Sequence, residues 1–464
     1  MYNLLMSFKK NFPGLFIIIF FFLVFTYHTL YRHWTYNSNA FDLGIYTQVA
    51  YLYSQGLSPL STLKHMNILG DHFGIILFLI SPVYKLLPYP ETLLTIQALF
   101  VSISGIFIYL IALDRTKDIL QSSILTFAYL SAPGILSAVN FDFHLATISV
   151  LPLSLILFCW YFKKWKLYWF FLLFSILFKE DIPIFIVGLG LFSLTKKQIK
   201  LGISTLIFGL LSFYFIKFQI MAHISQGAEA GYINSSILPL TNLVKLSYLL
   251  FTQPGSFINI FFDSPTKIRT LIILYGQLLF LPFLSALSWF SIMPYLFIRF
   301  SSNLTHYWGT NFHYNANLAP FLIVSTIFVL KKIQLPKYLF NTLLILTVII
   351  SNFYLNGVVL DTFHLNPKNI EKYNYLNITL KDIPANKTIS AQSPIVPHLS
   401  NRNKIYLYPE VLDADYIVLD ESLIYYPMQN IEFRDKISAL KSSPDWKLDQ
   451  QINSLLIFSK NNSY

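Results

Sequence analysis

Long apolar runs with short polar breaks fill the first three quarters of the chain. They lie near 14–33, 72–88, 91–113, 119–139, 143–162, 166–178, 182–195, 200–220, 270–288, 289–300, 316–331 and 338–355. A helix needs about 20 apolar residues to cross a bilayer. The pattern therefore predicts a polytopic α-helical membrane protein with ten to twelve membrane segments, several too short to cross alone. Residues 14–31, GLFIIIFFFLVFTYHTLY, are the clearest span. Lys9 and Lys10 precede them as in a signal peptide, but the run is long and no small-residue cleavage site follows. It reads as a retained first span.

The pattern changes after residue 355. TISAQ, KIYLYP, ADYIVLD and SLLIFSK read as short strands, and PHLSNR as a short helix and turn. NIEFRDKISALKSS reads as an amphipathic helix with Ile431, Ile437 and Leu440 on its buried side. The chain thus divides into a membrane domain, 1–355, and a small α/β domain, 356–464.

Basic residues orient the spans. Lys9–Lys10, Arg115/Lys117, KKWK (163–166), KKQIK (196–200) and KKIQLPK (331–337) all belong on the cytoplasmic face by the positive-inside rule. KED, Lys179–Glu180–Asp181, then falls at the outer face, as do residues 34–71, the FDFH turn (141–144) and everything after 355. The N-terminus is inside and the α/β domain outside. Segment 72–88, with Pro82 and Pro88, must begin and end outside. It reads as re-entrant, which requires protein or water to cover its backbone.

Composition agrees. Charged residues make up 12% of the chain, against roughly 25% in soluble domains. The net charge of +11 is uneven: residues 1–355 carry 22 Lys/Arg and 10 Asp/Glu, +12, while 356–464 carry 11 and 12, −1. Cytoplasmic loops account for the excess, and no nucleic-acid partner is needed. The single cysteine, Cys159, excludes an internal disulfide and a Cys-based metal centre. No Walker loop, GxGxxG cradle, HExxH or paired CxxC is present.

Few acids remain in the membrane domain, and Asp42, Asp71, Asp142, Glu180 and Asp181 all map to the outer face beside His72 and His144. Ionisable groups at membrane depth usually face a cavity and mark function. Each also has a plainer reading: Asp42 as the N-cap of a helix over 43–55, GDH (70–72) as a turn, KED as a solvated kink. Asp71, His72, Asp142 and His144 would suit a divalent ion, with oxygen ligands favouring Mg²⁺ or Mn²⁺ and imidazole admitting Zn²⁺. His313 and Tyr314 precede a span, and Arg299 ends another, where it would either bind phosphate or snorkel to the headgroups.

Asp42, Tyr46, Ala50 and Gly56, following a first span, resemble the opening of GT-C superfamily glycosyltransferases. FDLGIY, LGDHF, FDFH, FKED, FHYNANLAPFL and PHLSNRNKIYLYP…ADYIVLD resemble, over nearly the whole chain, the bacterial family of predicted membrane proteins of unknown function numbered 2079. The resemblance implies a GT-C-like fold in the cytoplasmic membrane and inverting sugar transfer at its outer face. The donor would be linked to polyprenyl phosphate, and the acceptor would be a lipid, glycan or protein. Asp42 would be the base. Lys179, Arg299, His313, Tyr314, Glu180 and Asp181 would bind donor and phosphate. The Lys-Pro-Pro-Leu-like segment usual in GT-C glycosyltransferases is replaced here by residues around Asp71 and His72. The C-terminal domain would recognise the acceptor or cap the site. The competing expectation is a transporter or lipid flippase, whose acids would serve a midplane site open to both faces.

Overall fold

The computed structural model describes residues 2–225, 248–249, 251–333, 335–356, 370–371 and 373–461. Glu229 and residues 357–369, at the start of the C-terminal domain, lie outside them. The apolar runs become helices: α1 (Tyr2–Trp34), α2 (Ile45–Ser54), α3 (Ile76–Leu86), α4 (Pro90–Thr116), α5 (Ile119–Leu130), α6 (Pro133–Val139) and α7 (Leu145–Tyr161). After these come α8 (Trp165–Ser175), α9 (Ile182–Thr195), α10 (Ile199–Ile224), α11 (Pro265–Gly276), α12 (Ala286–Phe300), α13 (His313–Lys332) and α14 (Lys337–Phe353). Among the described residues four helices are long and apolar enough to cross a membrane, or five if α5 and α6, bent by 47° at the break before Pro133, make one span. Proline removes a donor and clashes with the preceding turn, which accounts for the bend.

Segment 72–88 holds only the 11-residue α3, about 16 Å long at 1.5 Å per residue and too short to cross. Its first amide, Ile76 N, donates to Leu177 O near KED. Tyr84 near its other end donates to Asn401 of the C-terminal domain at 2.6 Å. Both ends therefore face the domain-bearing end of the bundle, as the charge pattern requires.

The bundle core joins α1, α4–α9 and α11–α14 through residues such as Phe25, Val101, Tyr129, Ile156, Phe185 and Phe321. Glycine permits a close approach at α9, where Gly188 lies against the backbone of Phe290 and Ser291 in α12.

Two minimal strands, β1 (Leu60–Ser61) and β2 (Met66–Asn67), pair antiparallel after α2. The C-terminal domain contains β3 (Ile389–Ala391), α15 (Val396–Leu399), β4 (Ile405–Leu407), β5 (Tyr416–Asp420), α16 (Asn430–Ser442), β6 (Trp446–Ile452) and β7 (Leu455–Lys460). Its sheet has the order β4-β3-β5-β7-β6, with β3 parallel to both neighbours and the rest antiparallel. β5 is buried on both faces, which is why YIVLD reads as continuous apolar sequence. Ile417 and Leu419 pack beneath α16 with Phe433, Ile437 and Phe458. Val418 faces the opposite way, into a core shared with Tyr36, Leu43, Tyr46 and Leu63 of the membrane domain.

Two sequence expectations change here. Ile431 is 78% exposed, and the buried stripe of α16 is Phe433, Ile437 and Leu440, at the i, i+4, i+7 spacing of a helix face. β6, WKLDQQI, was not anticipated, because as an exposed edge strand it lacks apolar alternation.

A methyl group on Gly188 would overlap Phe290 O and Ser291 Cα. Gly188→Ala is expected to destabilise the fold by about 1–3 kcal/mol, measured as a lower thermal unfolding midpoint in detergent.

Candidate active site

At the domain-bearing end the chain breaks at four places: the loop 35–44, the turn 67–75, KED, and the loop 301–313. These breaks enclose a cavity of about 260 Å³ lined by Asp42, Tyr46, Lys64, Asp71, His72, His144, Lys179, Glu180, Asp181, Lys217, Tyr295, Arg299, His313 and Tyr314. Ten of the eleven residues expected to form a site thus converge on one hollow. Asp142 does not line it.

Asp142 stands behind the Asp42 loop. It accepts a hydrogen bond from Asn39 N at 2.8 Å and lies 3.7 Å from Arg32, whose guanidinium also donates to Phe141 O. Burial raises its pKa and Arg32 with backbone amides lowers it, leaving about 6. It shapes the loop rather than the cavity.

Asp42 does not cap a helix. The residue before α2 is Gly44, with no side-chain cap bond, and the Asp42 carboxylate points to His144 Nε2 and His313 Nδ1, each 3.9 Å away. Burial pushes its pKa up. His72 pulls it down, Asp142 pushes it up again, and the result is about 7.

The other charges are paired. Lys64 lies 3.1 Å from Asp71. Lys179 lies 2.8 Å from Asp181 and 3.4 Å from Glu180. Burial opposes the Lys179 charge, but Asp181 and Glu180 outweigh it and hold the pKa well above the ordinary value. His72 Nδ1 contacts Glu180 at 3.1 Å, and Glu180 also accepts from Phe73 N. For His72 too, burial is outweighed, by Glu180 and Asp71, and the pKa rises.

Arg299 takes a role the sequence did not suggest. It is fully buried, so it does not snorkel. Its guanidinium donates to Tyr307 O twice, to Gly309 O, to Tyr314 O and to Asn315 Oδ1. An arginine has five N–H donors, and all five are engaged. None remains for a phosphate, and Arg299 instead holds the loop that presents His313 and Tyr314.

Asp42, His144 and His313 place one ligand atom each within 4.8 Å of one another, so they deserve a test as a metal centre. His144 Nδ1 accepts from Ala146 N at 3.0 Å. The neutral ring then carries its proton on Nε2, the nitrogen facing Asp42, where a ligand needs a lone pair. Metal-bound histidines instead donate from the second nitrogen. The His144 and His313 rings also stack, 12° from parallel with centroids 3.3 Å apart, so their in-plane lone pairs do not converge. These residues do not fit a resident ion. The expected metal set fits no better: Asp71 pairs with Lys64, His72 with Glu180, and Asp142 with Arg32.

Sequence reading missed Lys64, Lys217 and Tyr295, and named Tyr46 only as part of the opening motif. Lys217 lies within an apolar run, where a charge is itself a functional signal. Lys64 lies in a loop assigned to the face where lysine is scarce. Tyr295 carries no comparable mark.

The chain belongs to the family described as predicted membrane protein, DUF2079, whose model matches residues 32–457. It is similar to the crystal structure of ArnT from Cupriavidus metallidurans bound to undecaprenyl phosphate. The TM-score is 0.55 at 11% identity, covering 98% of this chain and 99% of that one. The two chains share their overall fold. No curated protein matches the sequence.

Asp42 should leave a signature in stability. Its folded pKa of about 7 exceeds the unfolded value of about 3.9. Between those values the unfolded chain releases a proton that the folded chain keeps, so ionisation favours unfolding as pH rises. The thermal midpoint of the wild type relative to Asp42→Asn is expected to fall from pH 4 to 7 and level off above.

Proposed function

We propose that this DUF2079 protein transfers a glycosyl group, with inversion, from a polyprenyl-phosphate-linked donor to a hydroxyl acceptor at the outer face of the membrane. One observation carries the reading. A single cavity at one end of a GT-C-like bundle joins a carboxylate of pKa about 7 to three lysines. The undecaprenyl phosphate of the ArnT structure supports the donor class.

The chemistry follows from the groups present. As the acceptor oxygen bonds to the anomeric carbon, Asp42 takes its proton. A base with a pKa near the working pH is ionised often enough and still basic enough to act. The bond from the anomeric carbon to the phosphate oxygen breaks, and its electron pair leaves on the phosphate. That anion needs cationic neighbours rather than an acid, and Lys64, Lys179 and Lys217 are the candidates. Asp181 and Glu180 keep Lys179 charged, and Asp71 holds the Lys64 ammonium in place at 3.1 Å before the donor arrives. His313 and Tyr314 lie on the Asp42 side, where the sugar would sit. Displacement from the face opposite the phosphate inverts the anomeric centre. No step requires a metal.

A transporter or flippase is the second reading. It needs a midplane site reachable from both faces, whereas the charged groups here gather at the end bearing the C-terminal domain. That one-sidedness favours the transferase.

Purified protein is expected to release polyprenyl phosphate from a polyprenyl-phosphate sugar when a suitable acceptor is present. Asp42→Asn should lower turnover by about 10²–10⁴-fold while the protein elutes as a folded species. The rate should climb about tenfold per pH unit below about 7 and flatten above it, as Asp42 ionises. EDTA should leave the rate unchanged. Normal turnover by Asp42→Asn would remove it as the base, and abolition by EDTA with recovery on adding Mg²⁺, Mn²⁺ or Zn²⁺ would overturn the metal-free scheme.

A further inference from the structure

The base and one of the cavity's cations stand on different loops, and the C-terminal domain grips both. We propose that this domain is a positioning clamp, which through Gln48, Thr62 and Ser393 fixes the Asp42 loop and the Lys64 loop at one spacing. The inference rests on the transferase reading for what the spacing serves, and on hydrogen bonding for the clamp itself.

Gln48 lies on α2, six residues after Asp42, and is fully buried. Its Nε2 donates to Thr62 Oγ1 at 2.8 Å and to Asn403 O at 3.1 Å, and its Oε1 accepts from Ser61 Oγ at 3.2 Å and Thr62 N at 3.0 Å. A primary amide has two donors and two acceptor sites, and all four are filled. The Thr62 hydroxyl is equally saturated: it donates to Ile405 O at 2.6 Å and accepts from Ile405 N at 3.0 Å and from Gln48. Ile405 belongs to β4, the edge strand of the sheet, so Thr62 occupies the place a further strand would take. Lys64 follows two residues later, at most about 7 Å along the chain.

The second grip lies at the carboxyl ends of the parallel strands. From β3 the chain goes first to β4 on one side and then across to β5 on the other. Open α/β sheets hold their ligands at such a point of reversal. Here the protein's own loop takes that place. Ala40 N donates to Ser393 Oγ, Ser393 Oγ donates to Asn39 Oδ1, both at 3.3 Å, and a methyl on Gly44 would press on Val396 Cγ1. Gln48, Thr62 and Ser393 do not line the cavity. They act on the reaction through Asp42 and Lys64. A fully satisfied buried network holds a single geometry, and reacting groups tolerate little displacement.

The test uses full-length protein with spin labels at the exposed positions Ser58 and Lys441, read as a distance distribution. Thr62→Val keeps the shape and removes the hydroxyl, whereas Thr62→Ser keeps the hydroxyl. Thr62→Val is expected to broaden the distribution and lower kcat/KM on the order of 10- to 100-fold, with the pH limb still near 7. Thr62→Ser should restore both. If Thr62→Val fails to fold, Ser393→Ala, which loosens the Asp42 loop alone, should lower kcat/KM without moving the limb. An unchanged distribution with a full rate, or a shifted pH limb, overturns the clamp. Wild-type protein inactive with every donor would instead remove the transferase reading, and the label distances would then decide the clamp alone.

Discussion

Charge taken out of water must find a partner, and that constraint organises this molecule. Even partly buried ions lose several kcal/mol of hydration, which attraction repays only in good geometry. The cavity holds four acids and four cations among its lining residues, and almost all are matched locally. Lys64 has Asp71, Lys179 sits between Glu180 and Asp181, and Arg299 has a ring of carbonyls. Asp42 is the exception, since its nearest neighbours of opposite potential charge are imidazoles at 3.9 Å. Burial raises the Asp42 pKa, and the rise stands because among these carboxylates it alone lacks a strong cationic partner at contact distance.

The same constraint explains what could be read from the sequence. Asp42, Asp71, Glu180 and Asp181 stood out because acids are rare in an apolar chain, and the basic clusters placed them on one side. Their convergence was legible for that reason. Lys217 carries an equal signal, a charge inside an apolar run, but it was absorbed into the span around it. Lys64 has no motif about it, and only the fold reveals that STLKHMN is pinned to a strand more than 340 residues away. Arg299 shows the reverse failure. The residue type fits phosphate well, yet donor capacity belongs to the environment, and backbone carbonyls had already taken it.

The membrane helices were legible from run length, and the short segment 72–88 from the sidedness of lysine and arginine alone. The C-terminal strands β3, β4, β5 and β7 were legible because they are buried. β6 and the true face of α16 were not, because an exposed edge strand carries no pattern. On α16 the apolar residue Ile431 faces solvent while Phe433 enters the core. A three-residue pattern cannot separate two helix faces that differ by a fraction of a turn.

The C-terminal domain would be expected, from its place in the chain, to recognise the acceptor. Its packing argues for a different primary role. An acceptor-binding module would keep its sheet crevice open and join the membrane domain through a modest polar interface. This domain fills the crevice with residues 39–44 and shares one apolar core with the first loops, from Tyr36 and Leu43 to Ile389 and Val418. Such an interface would not form and dissolve with each turnover, because opening it would expose the apolar core and strand the buried Gln48 amide. Motion for substrate entry must then come from elsewhere. The geometry leaves the side of the cavity bounded by α10, where Lys217 and Phe213 line the wall. Few α10 side chains are buried compared with those of α13: 28% of its apolar window against 83%. A helix presenting so much apolar surface outward is where a lipid-linked donor would meet the protein. On the transferase reading, Lys217 is the cavity lysine on that helix, and Lys179 and Lys64 line the same hollow.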